Sequence, residues 1–485
     1  MITNSIRRNI ILNLILSASS IVLPLITYPY VARILEPENM GKLSYVSSIM
    51  NYFQWFAYLG VPIYGIKKVA LVRNDKKKLS NIVGELIILN IFSIGITLIF
   101  IIISILYIPS FSNNKILFLI YTITLIFNTL NLEWLYKGME EYKYITVRSL
   151  LCRIFIVVLT FLLVKEKTDY FIYATISLFG VFLTFIFNIL HIKDYISNLE
   201  LKKSLKKIKL HLKGVFHFFL LNVFATIFLN LDIIMLGSIA GNLEVGYYSV
   251  AIKIKTILIT LISSIPAVLL PRMTRYLKDE KYDEFYSLIE KVLNIIIVVT
   301  LPLTFFFIIE AENCIAIIAG NKYELAIKPM IILMPLLLIS GVSSILGYQI
   351  LVPLNKEKQF FHVIVLGLFI DFILNCLWIK DYGSVGAARA TLITEIIICI
   401  IEMYLLKNIL KKISISSCIV KTLISSIIAC LVLNLVSRVM LYKKVINFIL
   451  MFVVFNFSWY ICMCVLKEKN IKKINEIFII KIRRK

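Results

Sequence analysis

Six ionisable side chains lie well inside stretches that are otherwise hydrocarbon: Asp232, Lys253, Lys255, Asp371, Glu395 and Glu402. Arg33 and Arg389 lie close to the ends of such stretches. A charge in lipid is costly, so groups of this kind normally face a protein interior or an aqueous cavity. Arg33, Lys253, Lys255 and Arg389 have the chemistry to attract an anionic head group such as a phosphate or diphosphate. Asp232, Asp371 and Glu395 have the chemistry to hold a coupling proton or Na⁺. Asp232 and Lys253 each lie about 9 Å of helix from the same membrane face, at 1.5 Å per residue, so they can pair. Lys255 is about 200° further around its helix and cannot share that face. Glu395 and Glu402, seven residues apart, nearly share one. The competing reading is a set of packing ion pairs and snorkelling interface residues.

The elements that must position these groups are long apolar runs. About fourteen can be counted, near 10–33, 43–65, 82–107, 115–136, 148–164, 170–192, 214–239, 247–270, 288–310, 327–352, 360–379, 386–407, 416–437 and 445–466. Each approaches the ~20 residues a helix needs to cross a ~30 Å hydrocarbon core. Barrel strands would be shorter and would alternate apolar with polar residues, which these runs do not. Counting those near run ends with the adjoining gap, 38 of the 52 Lys and Arg fall at the termini and in every second gap and 11 in the other gaps; Lys253, Lys255 and Arg389 are assigned to runs. The positive-inside rule then predicts an even number of spans with both termini cytoplasmic. Glu85 and Glu133 read as interface residues near cytoplasmic ends, with Glu133 placed to pair with Lys137 at i,i+4.

The composition excludes a soluble globular chain: 60% of residues are hydrophobic and 16% charged. The net charge of +24 belongs to cations flanking spans, which meet anionic leaflet lipids rather than nucleic acid. The longest polar gap, about 192–213, is a basic connector too short for a domain. Eight cysteines lie in or beside apolar runs without C-x-x-C, and four histidines are scattered, so neither set predicts a metal site or a disulfide. There is no G-x-x-x-x-G-K-[ST] loop for nucleotide hydrolysis. No long outer gap exists to carry a catalytic site, which points to a transporter rather than an enzyme.

A repeat is visible. Glu38-Asn39-Met40-Gly41-Lys42-Leu43-Ser44 after the first run matches Leu243-Glu244-Val245-Gly246-Tyr247-Tyr248-Ser249 after the seventh, with Gly41/Gly246 and Ser44/Ser249 in register. The gap at Lys137-Gly138-Met139-Glu140-Glu141 faces a similar one at Asn355-Lys356-Glu357-Lys358 under the same six-span shift. Such a shift preserves orientation, so it predicts two parallel six-helix lobes, residues 1–200 and 201–412, with residues 413–485 adding two helices and a basic tail. Pro24, Pro29, Pro266, Pro302 and Pro335 interrupt runs and can bend them.

Several segments resemble those of the Wzx-like polysaccharide-export flippases, of the multidrug/oligosaccharidyl-lipid/polysaccharide exporter superfamily. Arg33-Ile34-Leu35-Glu36-Pro37-Glu38-Asn39-Met40-Gly41 is similar to an R-x-L-G-P-E-x-x-G segment, with Glu36 where glycine is usual. Trp134 to Ile145 is similar to W-x-x-x-G-x-E-x-Y-x-x-I, Asp232 to Gly237 to D-x-x-x-L-G, Gln349 to Lys356 to Q-x-L-x-P-x-x-K, and Gly383 to Thr391 to G-x-x-G-A-A-x-x-T.

The resemblance implies an all-α polytopic protein of the bacterial cytoplasmic membrane, with two six-helix lobes around a central cationic cavity plus two C-terminal helices. It implies alternating-access movement of undecaprenyl-diphosphate-linked oligosaccharides for capsule, O-antigen or other exopolysaccharide. It further implies H⁺ or Na⁺ coupling, membrane lipids and other polysaccharide-assembly proteins as partners, and no other cofactor. Arg33, Asp232 and Arg389 fall within matched motifs, whereas Lys253 and Lys255 rest on charge alone. A lipid II flippase or cation-coupled drug exporter of the same fold, and a membrane-embedded glycan polymerase or acyltransferase, are the alternatives.

Overall fold

The computed structural model describes residues 2–196, 207–267, 269–414, 416–437 and 444–467. Part of the basic connector and the basic C-terminal tail therefore lie outside the described residues. The described chain is helical, and eleven or twelve of its helices are long and apolar enough to cross a membrane. Two of these, Ile11–Val72 and Glu357–Leu405, each carry two of the expected runs, so all fourteen runs lie on helices. Large apolar side chains stand outward: Ile99 is 60% exposed, Leu162 63% and Phe457 65%. Such surfaces are stable against lipid rather than water, and the protein is a multi-pass membrane protein.

The chain forms two compact units, Met1–Gly246 and Tyr247–Lys485. In the first, α1 (Ile2–Tyr58) holds two expected runs and breaks at Glu36, whose φ is 65° and ψ 168°. Pro37 follows and has no N–H to continue the helical ladder. Leu59 and Gly60, both at positive φ, turn the chain into α2 (Val61–Val72). Asp75 then starts α3 (Lys76–Tyr107), its Oδ1 accepting the Lys77 and Lys78 backbone N–H groups at 3.1 and 3.0 Å. After these come α4 (Pro109–Ser112), α5 (Lys115–Thr129), α6 (Glu133–Gly138), α7 (Tyr142–Leu163) and α8 (Tyr170–His191). Beyond the connector, α9 (Lys209–Ile239) packs along α1 and against α2. A core around Tyr64, Leu86, Trp134, Tyr136 and Val215 joins α2, α3, α6 and α9.

The second unit takes most of α10 (Asn242–Ala267), which ends one residue past Pro266. It continues with α11 (Leu270–Lys278), α12 (Tyr282–Ile309) and α13 (Ala311–Ile318). The expected span at 327–352 is broken: α14 (Ile327–Leu333) and α15 (Leu336–Ser344) meet at Pro335, where the span bends by 45°. A π-helical segment, Ile345–Leu351, continues α15. The next helix, α16 (Glu357–Leu405), breaks at Gly383 (φ 52°, ψ −130°), a conformation that a Cβ disfavours. A short α17 (Lys407–Leu410) follows. The last two helices, α18 (Ser416–Ser437) and α19 (Lys444–Val465), pack on each other and on α12 around Phe306, Leu433 and Phe455.

Candidate functional site

In the first unit, Arg33 lies on α1 three residues before the Glu36 break and is exposed. Asp232 lies on α9 and is 7% exposed. This unit also holds a polar cluster whose acids read from sequence as interface residues. Glu85 is buried within the protein. Its Oε2 accepts from His211 Nε2 at 2.7 Å, and the His211 Nδ1 is hydrogen-bonded to the Tyr64 hydroxyl at 2.9 Å. All three are less than 9% exposed. The cluster ties α2, α3 and the first turn of α9 together. Its components are 147 and 126 residues apart in the chain, a separation no local pattern reveals.

A second cluster joins α6, α7 and α8. Glu133 pairs with Lys137 at 2.8 Å, as its i,i+4 spacing predicts, and also with Arg148 at 3.0 Å. Arg148, 5% exposed, also donates to the Asn188 side chain, which donates in turn to Asn131. A guanidinium so enclosed is held as a structural cross-link. A cavity of about 720 Å³ in this unit is lined by Phe53, Phe56, Phe92, Phe100 and Lys209. None of the predicted charges lines it.

In the second unit, Lys253 and Lys255 are half-buried on α10. Arg389 is exposed, its guanidinium 5.0 Å from the Tyr382 ring centroid. Asp371 is 2% exposed and accepts from the Thr394 hydroxyl at 3.3 Å across the Gly383 break. Next to Thr394, Glu395 accepts from Ser340 at 3.3 Å. One face further along, Glu402 accepts from Ser343 at 2.6 Å. The two halves of α16 and the bent span α14–α15 thus gather three acids, each beside a hydroxyl. The serine and threonine partners were not legible in the sequence, because nothing local distinguishes them from ordinary helix hydroxyls.

The family model of polysaccharide biosynthesis proteins matches residues 6–277, more than half of the chain. This protein belongs to that family. Over 408 residues it is 27% identical to a protein of Escherichia coli (strain K12) named "Putative O-antigen transporter", covering 83% of this chain and 97% of the relative. A protein of the same name from Shigella dysenteriae is 22% identical over 404 residues, covering 83% and 100%. Among solved structures, lipid II flippase MurJ in an inward closed conformation superposes with a TM-score of 0.74 at 16% identity, covering 94% of this chain and 98% of that one. An inward-facing multidrug resistance MATE family transporter of the MOP superfamily gives 0.62 at 13%, covering 80% and 96%. The structural likenesses show that this polysaccharide biosynthesis protein has the fold shared by those two structures. The family match runs from residue 6 through the rest of the first unit and ends in α11, so it includes Arg33, Asp232, Lys253 and Lys255.

Proposed function

We propose that this polysaccharide biosynthesis protein is a flippase that carries lipid-linked oligosaccharide repeats across the cytoplasmic membrane, from the inner to the outer leaflet. The observation that carries the reading is the likeness to the Escherichia coli relative over nearly the full length of that protein, on an exporter-type fold. The physical requirement agrees with it. A head group of sugars and diphosphate cannot cross hydrocarbon unaided. A path bearing cations would receive it while the polyprenyl tail stays in lipid. Arg33, Lys253, Lys255 and Arg389 are the proposed cations for the undecaprenyl diphosphate. Asp232, Asp371 and Glu395 are the proposed groups for a coupling proton or Na⁺. Alternating access needs two states of similar free energy, shifted by substrate or ion. The positive-inside rule places both termini in the cytoplasm.

The test is reconstitution of the purified protein into vesicles with a fluorescent lipid-linked oligosaccharide. Protein-dependent movement of the label between leaflets is the expected result. Sugar chain elongation without transbilayer movement would assign the protein to the polymerases instead.

A further inference from the structure

Among the described residues of the second unit, Glu402 is a fully buried acid with a neutral hydroxyl as its hydrogen-bond partner. Its side chain is 0% exposed. One carboxyl oxygen meets the Ser343 hydroxyl at 2.6 Å, and the other, Oε1, has no hydrogen-bond partner. Among the described residues no lysine, arginine or histidine pairs with it. The elements packed on α16 are α14, α15, α17 and the π-helical segment, and α10, which carries Lys253 and Lys255, touches it where the Tyr248 hydroxyl meets that of Thr391 at 2.8 Å. Of these, α15 offers hydroxyls only, and Lys328 of α14 lies fifteen residues before Ser343. On α17, the Lys407 ammonium sits 4.6 Å from the Tyr404 ring centroid. The titratable groups that do face Glu402 are Tyr348 of the π-helical segment and Glu395 and Cys399 of its own helix. None of these supplies a positive charge.

A carboxylate there would be a charge out of water with one hydroxyl as its whole solvation. A neutral acid would leave at most one uncharged polar group unpaired, which costs far less. One proton on Glu402 turns an acceptor into a donor. A metal cation would need several oxygens around it, and among the described residues no three His, Cys, Asp or Glu side chains gather to hold one. The π-helical segment adds a reason to expect movement, because such distortions interrupt the regular hydrogen-bond ladder and recur at functional sites. Glu402 also lies three residues from the end of α16, at the end of the bundle followed by Lys407, Lys411 and Lys412.

We infer that Glu402 carries an exchangeable proton, kept while its side chain is packed against Ser343 and released to the cytoplasmic side when the bent span α14–α15 moves away. This rests on the transporter reading; it makes the proton the coupling ion and puts it on Glu402 rather than on Asp232, Asp371 or Glu395. The proton leaves the carboxyl oxygen for water, and the carboxylate then gains the solvation it lacked.

Two measurements test it on the full-length protein. In infrared difference spectra at neutral pH, wild type minus Glu402→Gln should contain the carbonyl stretch of a neutral carboxylic acid. Carboxylate bands in its place would overturn the proposal. In vesicles containing a fluorescent lipid-linked oligosaccharide and an entrapped pH dye, an imposed pH gradient should accelerate wild-type flipping, and flipping should move protons. For Glu402→Gln the ratio of rates with and without the gradient should fall to one. A variant that keeps the wild-type ratio, or a wild type driven by a Na⁺ gradient alone, would also overturn it. Should Glu402→Gln fail to fold, the acid band of the wild type, titrated with pH, decides the matter. If no lipid-linked sugar moves at all, the flippase reading fails while the infrared band still reports the proton on Glu402.

Discussion

Gly41 and Gly246 meet backbone to backbone. A Cβ placed on Gly41 would lie 1.7 Å from the Asn242 carbonyl oxygen and 2.9 Å from the Gly246 nitrogen. A Cβ on Gly246 would lie 1.9 Å from the Pro37 carbonyl oxygen. Each residue of the sequence repeat is therefore glycine because the other segment's backbone occupies the space of its side chain. The contact joins α1, just past its Glu36 break, to the first turn of α10.

Because backbone atoms cannot move aside as a flexible side chain can, Gly41→Ala and Gly246→Ala should each destabilise the protein by at least the ~1–3 kcal/mol typical of overpacking. Gly95→Ala is the control. It lies inside α3 with nothing within 4 Å of the added carbon, so it should stabilise by about 0.5–1 kcal/mol. Thermal unfolding in detergent distinguishes the two directions.

Glu36 adopts a backbone conformation at the break of α1 that is nearly exclusive to glycine. The turn forms despite the side chain, at a strain of roughly 1–3 kcal/mol. Glu36→Gly should relieve it and raise the melting temperature, while Glu36→Val should lower it. A fall on glycine substitution would mean that the contacts of the Glu36 side chain outweigh the strain.

Glu85 and His211 form a buried pair, so removing one leaves the other without its partner. His211→Ala or Glu85→Ala should each cost about 3–5 kcal/mol. The double variant Glu85→Leu/His211→Leu should cost markedly less than the sum of the singles. Additive losses in this cycle would show that the contact carries no coupling.

Asp75 offers a pH-dependent test at a water-exposed helix start. The Lys78 backbone N–H first, then the Lys78 ammonium and the Lys77 N–H, hold its carboxyl below the usual carboxylate range. A depressed folded value means that the stabilisation is complete above the unfolded value, about 3.9, and is lost as pH falls through the lower folded value. Exchange protection at the start of α3 should therefore drop on acidification in the wild type. In Asp75→Ala it should be low at both pH values.

Arg389 and Lys253 are two of the proposed diphosphate contacts. Arg389→Ala together with Lys253→Ala should slow flipping of a lipid-linked oligosaccharide about tenfold or more, since a hydrogen bond to a charged group is worth ~1.5–3 kcal/mol. Unchanged flipping at normal protein levels would remove these cations from the substrate path.

Much of the architecture was legible without coordinates. The apolar runs all lie on helices because their length and continuity are local properties of the chain. Pro335 marks a bend for an equally local reason, a missing N–H. The repeat located Gly41 and Gly246, and the i,i+4 spacing located Glu133 and Lys137. The acids were another matter: Glu85, set aside as an interface residue, proved buried, and Glu402 proved more enclosed than the half-buried Glu395.

What the sequence alone determined is where the chain enters and leaves helices and which of them belong in lipid, because those follow from nearest-neighbour chemistry and hydropathy. What only the tertiary structure decided is which polar groups meet. Helices that are apolar on nearly every side do not announce which face will be covered. That Glu85 finds His211, Glu402 finds Ser343 and Gly41 finds Gly246 depends on how helices far apart in the chain pack.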